Sequence, residues 1–418
     1  MHADVVDILI RAAPTTVDVK SQTGMTALRQ SIWNDDVGVM DLLLQAGANS
    51  TWALHHAVLS GNLNVAAELV RRRPESLHHD DVAPIHVAAL CGDNALISWL
   101  QTAGAEMSCR DRKGRMPIHM AAYYAQLMTL NFLVQNAADV EVQDESGKTA
   151  LHYIGGATSF GTGPAAKKVM QLYSGKVKKF SGSAARASIA FLIDYGAKLS
   201  FRDKAGCTAI FYAALNGRIN ALAAFIGAGA NVCEQDVEGA TPMCYAAKGG
   251  QTKAIMVLQD AGASIKARDH SGQTAIFYAA RNGHTRAIKT LYELSADVSS
   301  RDQEGNTPIF YAAAHNHSNA VTLLIDLGAD PSTVNLKGET PRSIAAKGNN
   351  SAVVAVLDAK LAPQGLLLVE SEPRATDTHQ MVSVPPSVPV EDKPTNPVLD
   401  HSNWGVYERT NWCTYILG

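Results

Sequence analysis

The sequence predicts an all-α solenoid, a row of short helix–turn–helix units with loops projecting to one side, followed by a disordered tail. Three observations carry that prediction. A four-residue signature recurs at a fixed interval, each copy is bounded by helix start and stop signals, and the composition changes after residue 361.

The signature reads Ala83-Pro84-Ile85-His86, Met116-Pro117-Ile118-His119 and Thr149-Ala150-Leu151-His152. It returns as Thr208-Ala209-Ile210-Phe211, Thr241-Pro242-Met243-Cys244, Thr274-Ala275-Ile276-Phe277, Thr307-Pro308-Ile309-Phe310 and Thr340-Pro341-Arg342-Ser343. Spacing is 33 residues throughout, except for 59 between Thr149 and Thr208, so one unit carries a 26-residue insertion at about 155–182. Weaker copies precede these at Thr26-Ala27-Leu28 and Trp52-Ala53-Leu54-His55.

Each unit has a physical reading. Thr caps a helix and Pro suits its first position. An Ala-Ala pair such as Ala279-Ala280 lets a neighbouring helix come close, and Gly217, Gly250 and Gly283 stop the helix with a left-handed turn. A second helix follows with apolar residues at helical spacing, for example Ala320, Val321, Leu324 and Ile325, and ends at Gly328-Ala329-Asp330. The connecting segments have turn chemistry, and Asp111, Asp144, Asp203, Asp236, Asp269 and Asp302 recur there as local partners for backbone amides. No unit buries its own apolar face, so stacking must do it.

This pattern resembles the ankyrin repeat, over roughly residues 1–360. The resemblance implies an ankyrin-repeat solenoid of helix-turn-helix units with projecting β-hairpin loops, about ten repeats in residues 1–361, and a separate tail at 362–418. Departures are local. Phe211, Cys244, Phe277 and Phe310 stand where His is usual, which puts the usual His-to-Thr hydrogen bond in doubt there, and Ala137 and Ser295 replace the Gly of the Gly-Ala-Asp end. Residues 4–12 read as the second helix of a repeat whose first half is missing. Either that helix is a makeshift cap or the chain is the ankyrin section of a larger protein, such as a channel, a ubiquitin-ligase adaptor or a kinase; the second is preferred.

Composition excludes several function classes. Thirty-six basic against 39 acidic side chains leave a formal charge of −3, too balanced for nucleic acid as the default partner. No apolar run reaches the ~20 residues of a membrane helix. The first residues lack a basic stretch and do not read as a signal peptide. Six scattered cysteines contain no C-x-x-C pair, which argues against a disulfide framework or a zinc site and for a reducing, cytoplasmic setting. His86, His119 and His152 occupy the repeat's structural position, and no catalytic signature is present. The expectation is no enzyme, no metal and no cofactor.

Two stretches fall outside the repeat. The insertion holds Lys167, Lys168, Lys176, Lys178 and Lys179, either a recognition loop for an acidic partner or, preferred, a solvated loop. Its glycines do not make a phosphate loop, because Gly161 is followed by Thr162 and not by Lys-Ser/Thr. Seven of sixteen prolines lie at 363–397, and the end carries Trp404, Tyr407, Trp412 and Tyr415, a docking motif or an unremarkable terminus.

What varies against the repeating background is the functional clue. Ankyrin proteins bind through a concave face formed by hairpin tips and first helices. That likeness singles out Tyr123, Tyr124, Asn216, Lys248, Arg281, Asn282 and His315, just after the Ala-Ala positions. Tyr212, Tyr245, Tyr278 and Tyr311 form a second register that serves either an interface or, preferred, packing between first helices. The implied function is a monomeric, non-enzymatic scaffold or adaptor that binds a protein partner.

Overall fold

The computed structural model describes residues 2–361 apart from 23, 51, 79–81 and 157–181. The five insertion lysines and the four tail aromatics lie outside the described residues.

Among the described residues, a lone helix, His2–Ala12, is followed by ten helix pairs. The first helices are short, for example Pro242–Lys248, Ala275–Arg281 and Pro308–Ala314, and they stand side by side along the row. They are nearly all core: Ala275, Ile276, Phe277, Ala279 and Ala280 are buried in one of them. The second helices, such as Thr285–Glu293, bury a single stripe, there Ala287, Ile288 and Leu291. This asymmetry explains the Ala-Ala pairs, since two first helices can approach only where side chains are small.

The stop signals behave as the sequence predicts. Gly217, Gly250 and Gly283 adopt φ of +61°, +67° and +68°. A Cβ on Gly250 or Gly283 would also strike the ring of His284 or His317. Ala137 and Ser295 keep the left-handed turn of the glycine they replace, at φ +65° and +69°.

The projecting loops are tight turns, with no strand among the described residues. Each turn closes on itself, as where the Asp269 amide donates to the Gln273 carbonyl at 2.9 Å. One backbone bond then ties it to the previous loop: His270 N to Glu238 O at 2.9 Å, Gln303 N to Ser271 O at 3.0 Å. A single rung per interface cannot build a strand, so the hairpins that the family likeness implies are reduced to fingertip turns.

Side chains add two further stitches at the same period. Arg110, Arg202, Arg268 and Arg301 each bridge the glycine carbonyl of their own loop and a carbonyl one unit on, Arg301 reaching Gly305 O at 3.1 Å and Val334 O at 2.9 Å. Residues just before the second helices cap the first helix of the preceding unit: His284 Nε2 donates to Lys248 O and His317 Nε2 to Arg281 O, both at 3.0 Å. Helix ends leave carbonyls unsatisfied, and these donors occupy them.

The first helix of the interrupted unit, Ala150–Ile154, is two residues shorter than its neighbours Pro117–Tyr123 and Ala209–Leu215, because the insertion opens at Gly155-Gly156. Arg218 compensates. Its guanidinium donates to the carbonyls of Tyr123, Tyr153 and Ile154 at 3.1, 3.3 and 2.9 Å. The unit resumes at Gly182–Asp194. On the lone N-terminal helix, Val6 and Ile10 pack onto the core while Val5, Ile8 and Leu9 stay exposed.

Candidate functional site: the loop and first-helix face

The loops and the C-terminal ends of the first helices share one face, and its groundwork is a repeated carboxylate cradle. In each loop the Asp Oδ1 accepts two backbone amides, at Asp269 from Ser271 (2.9 Å) and Gln273 (2.8 Å). Its Oδ2 accepts the hydroxyl of the tyrosine nine residues on. Tyr153 reaches Asp144 at 2.6 Å, Tyr245 reaches Asp236 at 2.8 Å, Tyr278 reaches Asp269 at 2.6 Å and Tyr311 reaches Asp302 at 2.7 Å. A largely buried carboxylate is tolerable only with such a full set of donors.

Where the tyrosine is missing, another group takes its place. Nine residues after Asp111 stands Met120, and the Asp111 Oδ2 instead takes Arg115 Nε at 2.6 Å, in a nearly fully buried ion pair. Nine residues after position 335 stands Ile344, and position 335 is Asn, whose amide donates to Asn306 Oδ1 at 2.9 Å.

The histidines of the signature form the layer beneath. Nδ1 of His119 accepts the Met116 amide at 2.9 Å, so Nε2 carries the proton and donates to Val142 O at 3.0 Å. Burial pushes His119 down to about 4 and lowers His86 and His152 as well. Phe211 and Phe277 keep the ring contact but not the hydrogen bond, packing edge-on against Tyr245 and Tyr311 with centroids 5.2 and 5.8 Å apart. The price of the replacement is visible at Thr307, whose Oγ1 is buried with no hydrogen-bond partner.

The 33-residue period, the paired helices and the cradle all agree with one family model, that of ankyrin repeats. It matches residues 85–156, 181–269, 210–302, 259–335 and 294–363. The chain belongs to the ankyrin-repeat family. No curated protein matches this ankyrin chain.

On the ankyrin face, the residues singled out from sequence divide by what they touch. Asn216 and Asn282 donate to carbonyls four residues back, Tyr212 O and Tyr278 O, each at 2.8 Å, and so cap their own helices. His315 Nδ1 does the same to Tyr311 O at 3.0 Å. Tyr123 and Tyr124 meet edge to face at 4.8 Å, with the Arg218 guanidinium 5.0 Å over the Tyr123 ring. Burial pushes the Tyr124 hydroxyl up to about 12.

Lys248 and Arg281 come together differently. They line one groove of about 260 Å³ with Tyr245, Tyr278, Ser271 and Glu238. The Arg281 guanidinium lies 4.5 Å over the Tyr311 ring and donates to Gln273 Oε1 at 2.9 Å. Gln273 in turn donates to the Tyr311 hydroxyl at 2.9 Å. Neither cation forms an ion pair among the described residues. The sequence marks the tyrosine register and the loop tip that carries Gln273, but not the bonds that join them; a contact nine residues along a loop and helix, or 38 across units, matches no local period.

The arrangement has hydrogen-bonding and stacking capacity. Among the described residues no cluster of His, Cys, Asp and Glu could hold a metal ion, and no helix is long and apolar enough to cross a membrane. Ankyrin repeats are in general protein-interaction modules and typically not enzymes.

Proposed function

We propose that this ankyrin chain is a non-enzymatic adaptor that holds a protein partner on the face built from its loops and first helices, and that it works in the cytoplasm. The observation that carries the reading is the groove between Lys248 and Arg281. Both cations stand over tyrosine rings, 5.8 Å for Lys248 over Tyr245, and neither has an acidic partner among the described residues. Aromatic rings backed by cations and held by their hydroxyls are good anchors for a polypeptide.

Lys248→Glu and Arg281→Glu together reverse the groove's cations without touching the helix cores. Affinity capture from cells that make the protein should then lose the partner recovered by the wild type, with the helical circular dichroism unchanged. Recovery of the same partner in the same amount would reject this face.

A further inference from the structure

We infer that the first two helix pairs hold an anchoring pocket for an acidic side chain of the partner polypeptide; the inference rests on the adaptor reading for the nature of its ligand. The argument begins with spacing. The first-helix starts Thr26 and Trp52 lie 26 residues apart instead of 33, and only Asn49–Trp52 connect Ala48 to the next helix at Ala53. The projecting loop of that unit is therefore missing.

The gap leaves a pocket of about 420 Å³ lined by Asp18, Lys20, Arg29, Asn49, Trp52 and His56. Arg29 occupies the fourth position of its signature, where His86 and His152 donate to carbonyls of the following loop, Arg115 O at 2.9 Å and Cys207 O at 3.0 Å. With that loop deleted, the long side chain has no such acceptor. Its Nε is buried and has no hydrogen-bond partner. A buried guanidinium donor left unsatisfied costs free energy that a ligand oxygen would recover.

Charge selects the ligand. Asp18 accepts the Asn49 amide at 3.0 Å, and Lys20 and Arg29 set two cations against that one acid, so the charged lining is net positive. Trp52 supplies an aromatic wall beside it. The complement is a carboxylate from Asp or Glu, adjacent in sequence to an aromatic or aliphatic residue that lies on the indole. A carboxylate meets the guanidinium fork with two parallel hydrogen bonds, which a neutral amide cannot match.

The test is peptide display on the immobilised full chain, followed by fluorescence polarisation of the selected peptides on wild-type protein, Arg29→Gln and Arg281→Gln. Selected peptides should share an Asp or Glu beside an apolar residue. Changing that acid to its amide, or Arg29→Gln, should each weaken binding about tenfold, with little further loss when combined. Lys20→Gln, at an exposed position, should give a smaller loss and guards against a folding defect in Arg29→Gln. Peptides with no shared acid, no peptides at all, or equal affinity in Arg29→Gln would overturn the pocket. Peptides lost with Arg281→Gln but not with Arg29→Gln would overturn it while leaving the adaptor face intact.

Discussion

The hydroxyl of Tyr278 donates to Oδ2 of Asp269 at 2.6 Å, joining a first helix to the loop that precedes it. Burial and the nearby carboxylate hold that phenol far above its ordinary value, so it remains a donor throughout the working range. Tyr278→Phe keeps the ring and removes the donor, leaving a carboxylate oxygen of Asp269 short of a partner. The expected cost is about 1–3 kcal/mol, felt in that unit and its neighbours. Hydrogen exchange should rise across 269–281 and not in the first helix pairs; uniform protection would contradict the cradle.

The left-handed stops offer a pair of opposite substitutions. Ser295 holds φ +69° without being glycine, whereas Gly283 holds φ +68° with the His317 ring against it. Ser295→Gly should stabilise the array by about 1 kcal/mol, because an L side chain pays roughly that in this conformation. Gly283→Ala should destabilise it by more, from strain plus collision. Urea midpoints measure both, and a shift in the same direction for the two would refute the account.

Acid should loosen the signature histidines. His119 is held neutral in the fold, down to about 4 from an ordinary 6.5. Because the folded value lies below the unfolded one, its contribution is complete above pH 6.5 and disappears as pH falls towards 4. The loss amounts to about 3 kcal/mol by linkage. His86 and His152 act in the same direction. Urea midpoints followed from pH 7 to pH 4.5 should fall, and fall less in His119→Gln once its lower starting stability is subtracted.

Arg218 caps the shortened helix beside the insertion. Arg218→Gln cannot span the carbonyls of Tyr123, Tyr153 and Ile154. Exchange of amides at 150–156 should increase at least several-fold while 308–326 stays protected, and Arg218→Lys should restore part of the protection, because all three carbonyls converge on the one nitrogen Nη1. Unchanged exchange at 150–156 would show the bridge to be dispensable.

Much of this architecture is legible in the sequence because it is local and periodic. Pro at helix starts, Gly at stops, Ala-Ala at close contacts and Asp in the turns each act within five residues of themselves; the Thr side chain caps its helix at Thr26 and Thr340 but not at Thr208, Thr241, Thr274 or Thr307, a correction to the uniform cap that the signature suggests. Their 33-residue recurrence gives the array. What escapes a reading along the chain is contact between distant positions. The Tyr–Asp bond crosses a loop–helix junction, and Arg301, His317 and Arg218 act on carbonyls 33 to 95 residues away. Asn216, Asn282 and His315 share a variable position, yet their side chains turn back onto their own helices. Variability alone does not distinguish a cap from a contact. Lys248 and Arg281 differ because they lie over tyrosine rings in one groove and do not turn back onto their own helix carbonyls.

The central claim, that a partner lies on the loop and first-helix face, is tested most directly by site-specific photo-crosslinking in cells. p-Benzoylphenylalanine is placed at Ser271, an exposed loop residue lining the Lys248–Arg281 groove, and separately at Met256, exposed on a second helix. The account predicts one discrete protein adduct from position 271, absent from position 256 and lost with Lys248→Glu/Arg281→Glu. An adduct from position 256 with none from position 271 would contradict it.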